Sequence, residues 1–270
     1  MVQWHSGLSS VRRRRYGLPK VLESRVKPLV LCYHSVSDEW SHQLAVTRRS
    51  FERQLTSLLR RGYRPIAAED VLDGARRGLH VTFDDAYSDL LAHALPVLER
   101  LAIPATVFAA TAFAAGGRPL AVPELAAEAR ANPERLATMS WDELAELMQR
   151  GFTVGSHTVT HPHLTSLSDG ELDRELRDSR EQLESRLGRP CTLLAYPYGE
   201  HDARVHDAAR RAGYAAAFAL AAGSSKENRY AIPRVDLYRR DSLIRATLKT
   251  SFVKPFASAL LARLPRRPPS

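Results

Sequence analysis

Cysteine is scarce in this chain, with two in 270 residues, Cys32 and Cys191. Both lie in apolar runs, LVLCYH and CTLLAY, and no Cys-x-x-Cys pair occurs. A disulfide framework and a thiolate metal site are thereby excluded, and two buried free thiols are expected. No stretch approaches the ~20 apolar residues of a membrane span. The opening MVQWHSGLSSVRRRRYGLPK lacks the apolar core of a cleavable signal, so a cytoplasmic location is expected. Neither GxGxxG nor GxxxxGK[ST] is present, which removes the common nucleotide-binding loops.

Acidic residues are nearly missing from the two ends. Residues 1–27 carry seven Lys/Arg against one acid, and residues 239–270 carry eight against one. The chain total is +9, so residues 28–238 hold about −4. The basicity belongs to the ends and not to the body. A nucleic-acid enzyme more often has a basic working face, so no nucleic-acid partner is expected. Basic ends suit peripheral contact with an anionic membrane, or plain solvation. The stretch 242–267 has apolar and basic residues in alternation, interrupted by Pro255, and reads as a helical tail that lies on a membrane or packs on the body.

What is present is a full complement of core residues, 44% hydrophobic, arranged as alternating strands and helices. PLVLCYH, LHVTFDD, ATVFAA, FTVGSH, CTLLAYP, YAAAFAL and AIPRVDL read as strands. Between them, Phe51, Leu55, Leu58 and Leu59 have helical spacing, and another helix is placed near 89–101. Ser140 with Glu143 and Ser168 with Glu171 form capping boxes, and Gly62, Gly151, Gly188 and Gly213 mark helix ends. A Gly/Pro-containing insertion at about 114–138 is expected on the surface. The repeated alternation predicts a mostly parallel sheet, open or closed into a barrel.

The polar residues fall just past strand ends: His34, the pair Asp84-Asp85, His157, and Tyr196-Pro197-Tyr198. An Asp-Asp pair alone would read as a turn or a helix cap. In a parallel α/β barrel, however, strand-end residues meet at one rim, where such folds keep their active sites. His157 and His161, four residues apart, with a carboxylate from another rim loop, make a candidate N,N,O site with positions open for water and substrate, the arrangement of a catalytic zinc. His163, after Pro162, is a further candidate, placed in a supporting or exposed position.

TFDDAYSD, SHTVTHPHLTSLS and AYPYGEHD, in that order, resemble the first three motifs of the polysaccharide deacetylase family, the NodB-homology fold of carbohydrate esterases. LCYHSV and MSWDEL also suit it. The resemblance covers roughly residues 28–238, flanked by the basic extension 1–27 and the basic tail 239–270. It implies a distorted (β/α) barrel of about seven strands and metal-dependent removal of N-acetyl, sometimes O-acetyl, groups from a sugar. It implies that Asp85, His157 and His161 hold a divalent metal, most often Zn2+. Asp84 would be the general base, and the Tyr198 N–H would bind the developing oxyanion. The expected partner is an acetylated amino-sugar glycan, free, polymeric or lipid-linked.

Two departures from the family pattern stand out. Many relatives carry an Arg in the third motif that orients the base, and LLAYPYG has none; Arg234 in IPRVDL is the replacement candidate. Many relatives also end with a Leu-x-His whose histidine protonates the leaving amine, yet no histidine follows His206. In relatives similar to the biofilm poly-N-acetylglucosamine deacetylases that histidine comes from an N-terminal Tyr-His element. Tyr33-His34 occupies such a place, which makes His34 the candidate general acid. Without any acid, the alternative is a catalytically weak, metal-containing glycan-binding protein of the same fold.

Overall fold

The computed structural model describes residues 28–220 and 228–251. The expected extension 1–27 and most of the tail, 252–270, lie outside the described residues. Strand β1 (Leu29–Tyr33) opens the fold, followed by the two-residue pair β2 (Ser35–Val36) and β3 (Ala45–Val46) and by helix α1 (Arg48–Arg60). Next come β4 (Arg64–Pro65), α2 (Ala68–Leu72) and β5 (Gly78–Phe83). Helices α3 (Asp89–His93) and α4 (Leu95–Arg100) lead to β6 (Ala105–Ala109), then α5 (Thr111–Ala114) and α6 (Ala126–Ala131). Helix α7 (Trp141–Gln149) precedes β7 (Thr153–Ser156), and α8 (Asp169–Leu187) precedes β8 (Leu193–Ala195). Helix α9 (Ala203–Arg211), β9 (Ala216–Leu220), β10 (Ile232–Asp236) and α10 (Leu243–Lys249) complete the described chain.

The long strands are all parallel. They pair in the order β1, β10, β9, β8, β7, β6, β5, and β5 returns to β1 through Leu29–Leu79 to Tyr33–Phe83, closing a seven-stranded barrel. Strand β4 adds to the first two residues of β5. Period-two alternation along each strand sorts the side chains. Leu31, Leu79, Val81, Val107, Val154 and Leu194 join the large apolar layer under the helices. Val30, Phe108, Leu193, Ala195, Ala216 and Phe218 form a second, smaller cluster inside the ring. Gly155 is required there, because a Cβ at this position would sit 2.5 Å from the Phe108 ring.

Local signals set most helix limits. Ser140 and Glu143 cap α7 reciprocally, as do Ser168 and Glu171 for α8, and Gly188 (φ 66°) ends α8 in the left-handed region. The single helix expected near 89–101 is two helices. Pro96 lacks the N–H that an unbroken helix would donate to residue 92, so the axis restarts at Leu95. The described part of the expected C-terminal tail packs on the barrel: Gln54 Nε2 donates to the Asp241 carbonyl (3.0 Å), and Arg61 Nη1 donates to Thr250 Oγ1 (3.0 Å).

The insertion at 114–138 is more than surface. Leu120, Val122, Leu125 and Leu136 bury themselves against Trp40, Ala45, Tyr87 and Ala110 in a third cluster. Bridges Tyr87–Thr138 and Pro119–Ala137 fasten its base. The arm stands beside the barrel rim, where it forms one wall of the cavity described next.

Candidate metal centre and active site

The inner-face alternation of the strands continues into the rim. Val30 and Cys32 lead to His34, His80 and Thr82 lead to Asp84, and Gly155 leads to His157. Asp85 breaks this phase. It and Ala86 take consecutive left-handed conformations (φ 69° and 50°), which turn the second carboxylate of the pair back toward the cavity. Thr158 (φ 70°), His161 (φ 61°) and Tyr198 (φ 58°) are strained in the same way. Five non-glycine residues in an unfavourable region at one rim show a site over-determined by its surroundings.

Asp85, His157 and His161 converge, each offering a ligand atom within 4.8 Å of the other two. Asp85 Oδ1 lies 3.6 Å from His157 Nε2 and 3.4 Å from His161 Nε2. The four-residue spacing of the histidines is not helical. Val159 N, Thr160 N and Thr160 Oγ1 all donate to the Glu175 carboxylate of α8 (2.8, 2.9 and 2.7 Å), and His161 N donates to Thr158 Oγ1 (3.0 Å). The loop is thereby folded back so that both rings face Asp85.

His157 Nδ1 stands 2.8 Å from the Ala195 carbonyl, which can only accept. Nδ1 therefore carries the proton, and Nε2 presents its lone pair toward Asp85. Burial lowers the proton affinity of both histidines, to a pKa of about 4 for each, so both are neutral near pH 7. Burial also raises Asp85, and the charge on Asp84 adds to that.

The other carboxylate of the pair, Asp84, is held differently. Arg234 Nη1 donates to its Oδ1 (2.6 Å) and Nη2 to its Oδ2 (2.8 Å), and Nη1 also donates to Thr82 Oγ1 (3.1 Å). Arg234 is fully buried, with its guanidinium 5.6 Å from the centre of the Phe108 ring. Burial would push Asp84 up, but the Arg234 charge and hydrogen bonds outweigh it and hold the carboxyl well below the usual range. Cys32 Sγ donates to Oδ2 at 3.4 Å.

This charge arrangement fits a cation. Arg234 neutralises Asp84, while Asp85 faces two neutral rings and its Oδ1 has no hydrogen-bond donor among the described residues. A buried, uncompensated carboxylate is costly unless a positive charge joins it. Ligands at ~2.0–2.2 Å around a tetrahedral zinc stand about 3.4 Å apart, close to the separations seen here. Two imidazoles and one carboxylate suit zinc and leave positions open.

The remaining expected residues surround this centre. A ring nitrogen of half-buried His34 lies within 4.8 Å of an Asp84 oxygen, and the ring stacks on Tyr238 (6.0 Å, 21°). His34 Nδ1 has no hydrogen-bond partner among the described residues. Tyr198 donates its hydroxyl to Glu124 Oε2 (2.8 Å), stacks on His163 (3.9 Å, 9°) and meets His161 edge-on (4.7 Å). His163 is exposed, with Nδ1 3.0 Å from Glu200 Oε2 and Nε2 3.4 Å from Glu124 Oε1; the Glu200 hydrogen bond raises its pKa. Together these groups enclose a cavity of about 330 Å³.

Sequence reasoning did not find the cavity walls: His42, Leu44, Leu120, Val122, Glu124, Leu125, Leu220 and Tyr238. One signal was available for part of them. Leu120, Val122 and Leu125 are too apolar a set for a freely solvated insertion.

Comparison with known proteins agrees with this geometry. Residues 73–217 match the family model for polysaccharide deacetylases. YxkH of Bacillus subtilis (strain 168), assigned to the polysaccharide deacetylases, is 24% identical over 222 residues, covering 79% of this chain and 72% of that protein. Two solved structures share the fold. The IcaB structure from Ammonifex degensii aligns with a TM-score of 0.68 at 25% identity, covering 84% of this chain and 98% of that one. The Streptococcus pyogenes deacetylase PplD aligns with a TM-score of 0.68 at 23% identity, covering 84% and 99%. The closed parallel barrel, the ordered strand-end motifs and the family match together place this chain in the polysaccharide deacetylase family, hydrolases acting on carbon–nitrogen bonds.

Proposed function

We propose that this protein is a metal-dependent deacetylase that removes N-acetyl groups from an amino-sugar glycan. The observation that carries the reading is the division between two adjacent carboxylates. Asp84 is paired with Arg234, and Asp85 is left facing two neutral histidines. Asp85, His157 and His161 would hold the ion, zinc being the best match to the donor set. When bound, such an ion acidifies a water and polarises the acetyl carbonyl.

The protein's own groups do the rest. Asp84 takes the proton of the attacking water as general base. Because Arg234 makes it a weak base, it is ionised before the step and accepts only from an already acidic donor, becoming neutral as the proton arrives. Arg234 occupies one lone pair on each Asp84 oxygen and the Cys32 thiol donates to Oδ2, so the remaining lone pair of Oδ1 is the one left to accept. The Tyr198 backbone N–H, in a turn fixed by the stacked ring of His163, stabilises the charge that develops on the acetyl oxygen. His34 donates a proton to the leaving nitrogen. The C–N bond then breaks to give acetate and a free amine.

No described helix is long and apolar enough to cross a membrane. The basic ends are read as peripheral contacts with an anionic surface. Acetate release by the zinc-loaded protein from a panel of acetylated oligosaccharides and lipid-linked acetamido sugars tests the reading. Release that disappears with a chelator and returns with zinc is expected, and no release from any of them would refute it.

A further inference from the structure

The cavity over the metal centre is lined from every strand of the barrel, and from this we propose that the site is a blind pit for one terminal acetamido sugar, not a groove read along the interior of a polymer. The proposal rests on the deacetylase reading above. The floor comes from the ends of β1, β5 and β7. The walls come from the β2–β3 loop (Leu44), from the loops after β6 (Val122, Leu125), β8 (Tyr198) and β10 (Tyr238), and from the last residue of β9, Leu220. A groove that passes a chain needs two open ends on the rim. Among the described residues, which leave out 221–227 after Leu220, the wall residues follow one another around the ring with no strand left out.

The wall on the β6 side is the arm 114–138, and it is fixed in place. Tyr198 donates its hydroxyl to Glu124 (2.8 Å), tying the arm across to the β8 turn. Trp40 Nε1 donates to Glu128 (3.0 Å), and Arg135 pairs with Glu39 (2.6 Å), tying its far side to the β2–β3 loop. The wall is also apolar on several sides, through Leu44, Val122, Leu125 and Leu220. Neighbouring sugars pressed against these apolar stretches would lose water from hydroxyls that the four side chains cannot bond, whereas a single sugar can turn its hydroxyls toward His42, Gln43, Glu124 and Tyr238. A volume of about 330 Å³ is near the small end for ligand pockets, enough for one acetamido sugar.

The chemistry gives this geometry a countable signature. Water breaks the C–N bond, its oxygen leaves as part of acetate, and the nitrogen stays on the sugar as an amine. The glycan is not shortened, so a modified end is never replaced by a fresh one. A terminal-only enzyme therefore stops at a fixed acetate yield per chain, whatever the chain length.

The test uses the full-length, zinc-loaded protein on fully acetylated β-1,4- and β-1,6-linked N-acetylglucosamine oligomers from dimer to hexamer. Acetate per chain is measured at completion, and the free amines are located by tandem mass spectrometry. The proposal expects a yield that does not rise from dimer to hexamer, with every amine at a terminus. Amines at interior positions, or a yield that grows with length, would overturn the pit while leaving the deacetylase reading intact. No acetate from any oligomer, nor from the lipid-linked and monosaccharide panel, would remove the deacetylase reading and this proposal with it.

Discussion

Asp84 and Asp85 are neighbours in sequence, yet they live in different electrostatic surroundings, and that difference can be tested directly. Asp84→Asn should keep the metal and lose roughly 10²-fold or more in turnover, the scale of a lost general base; Asp85→Asn should lose the metal, read by elemental analysis. Arg234→Met should cost about 3–5 kcal/mol in denaturant unfolding, because it leaves a buried carboxylate without its cation. His34→Ala should lose roughly 10²–10⁴-fold on an amide but much less on nitrophenyl acetate, whose leaving group departs unprotonated. Equal losses on both substrates would place His34 in a structural role. Asp84, Asp85 and His157 were legible because several strands run directly into a polar group, and His161 because it stands four residues beyond His157. Arg234 was visible only as an arginine within a strand. Its partner lies 150 residues away, and only barrel closure shows that both side chains point inward.

Among the elements, α8 acts on the site without touching the metal centre. Its Glu175 accepts from two amides and a hydroxyl of the loop joining His157 to His161. Glu175→Ala should weaken zinc binding about 10–100-fold, the usual effect of losing a group that orients ligands, as measured by competition with a chelating dye. Helix α3 begins with a different kind of carboxylate. Asp89 is half-buried beside the Ser35 hydroxyl, and its partial desolvation pushes its pKa up to about 7. The unfolded chain releases that proton near 3.9. Between about pH 4 and 7 the folded state therefore binds more protons, so stability falls as pH rises across that window and levels off above it. Asp89→Asn should flatten this part of the denaturation profile. Helix α8 was legible from both ends, through Ser168-Glu171 and Gly188. The two-residue strands β2, β3 and β4 were not, since so short a run carries no periodicity. The burial of the arm was not legible, because Leu120, Val122, Leu125 and Leu136 are spaced by loop geometry and match neither the helical nor the strand period.

For the molecule as a whole, the separation of charge between body and ends is the feature with a measurable consequence. Residues 28–238 carry about −4, while the two ends carry +6 and +7. Removing 1–27 and 256–270 should leave hydrolysis of a small acetamido sugar unchanged and should reduce co-sedimentation with anionic liposomes. Each Lys or Arg near such a surface contributes about 1 kcal/mol, and salt should weaken the binding. Undiminished sedimentation of the truncated protein would assign the contact to the barrel. The barrel itself was readable from strand–helix alternation and the order of the motifs. The alternation alone did not decide between an open and a closed sheet, because the β1–β5 pairing joins residues far apart in sequence; the seven-stranded barrel followed from the resemblance of the motifs.

The arm between β6 and α7 has a practical meaning for anyone who wishes to redesign the protein. It enters and leaves the fold between two strands that supply the chemistry, and its base is fastened by the Tyr87–Thr138 and Pro119–Ala137 bridges. None of Asp84, Asp85, His157 or His161 belongs to it. Transplanting a shorter segment across those bridges should therefore change which sugars enter while keeping Asp84, Asp85, His157 and His161, and a replacement that keeps Glu124 would also keep the anchor of the Tyr198 hydroxyl.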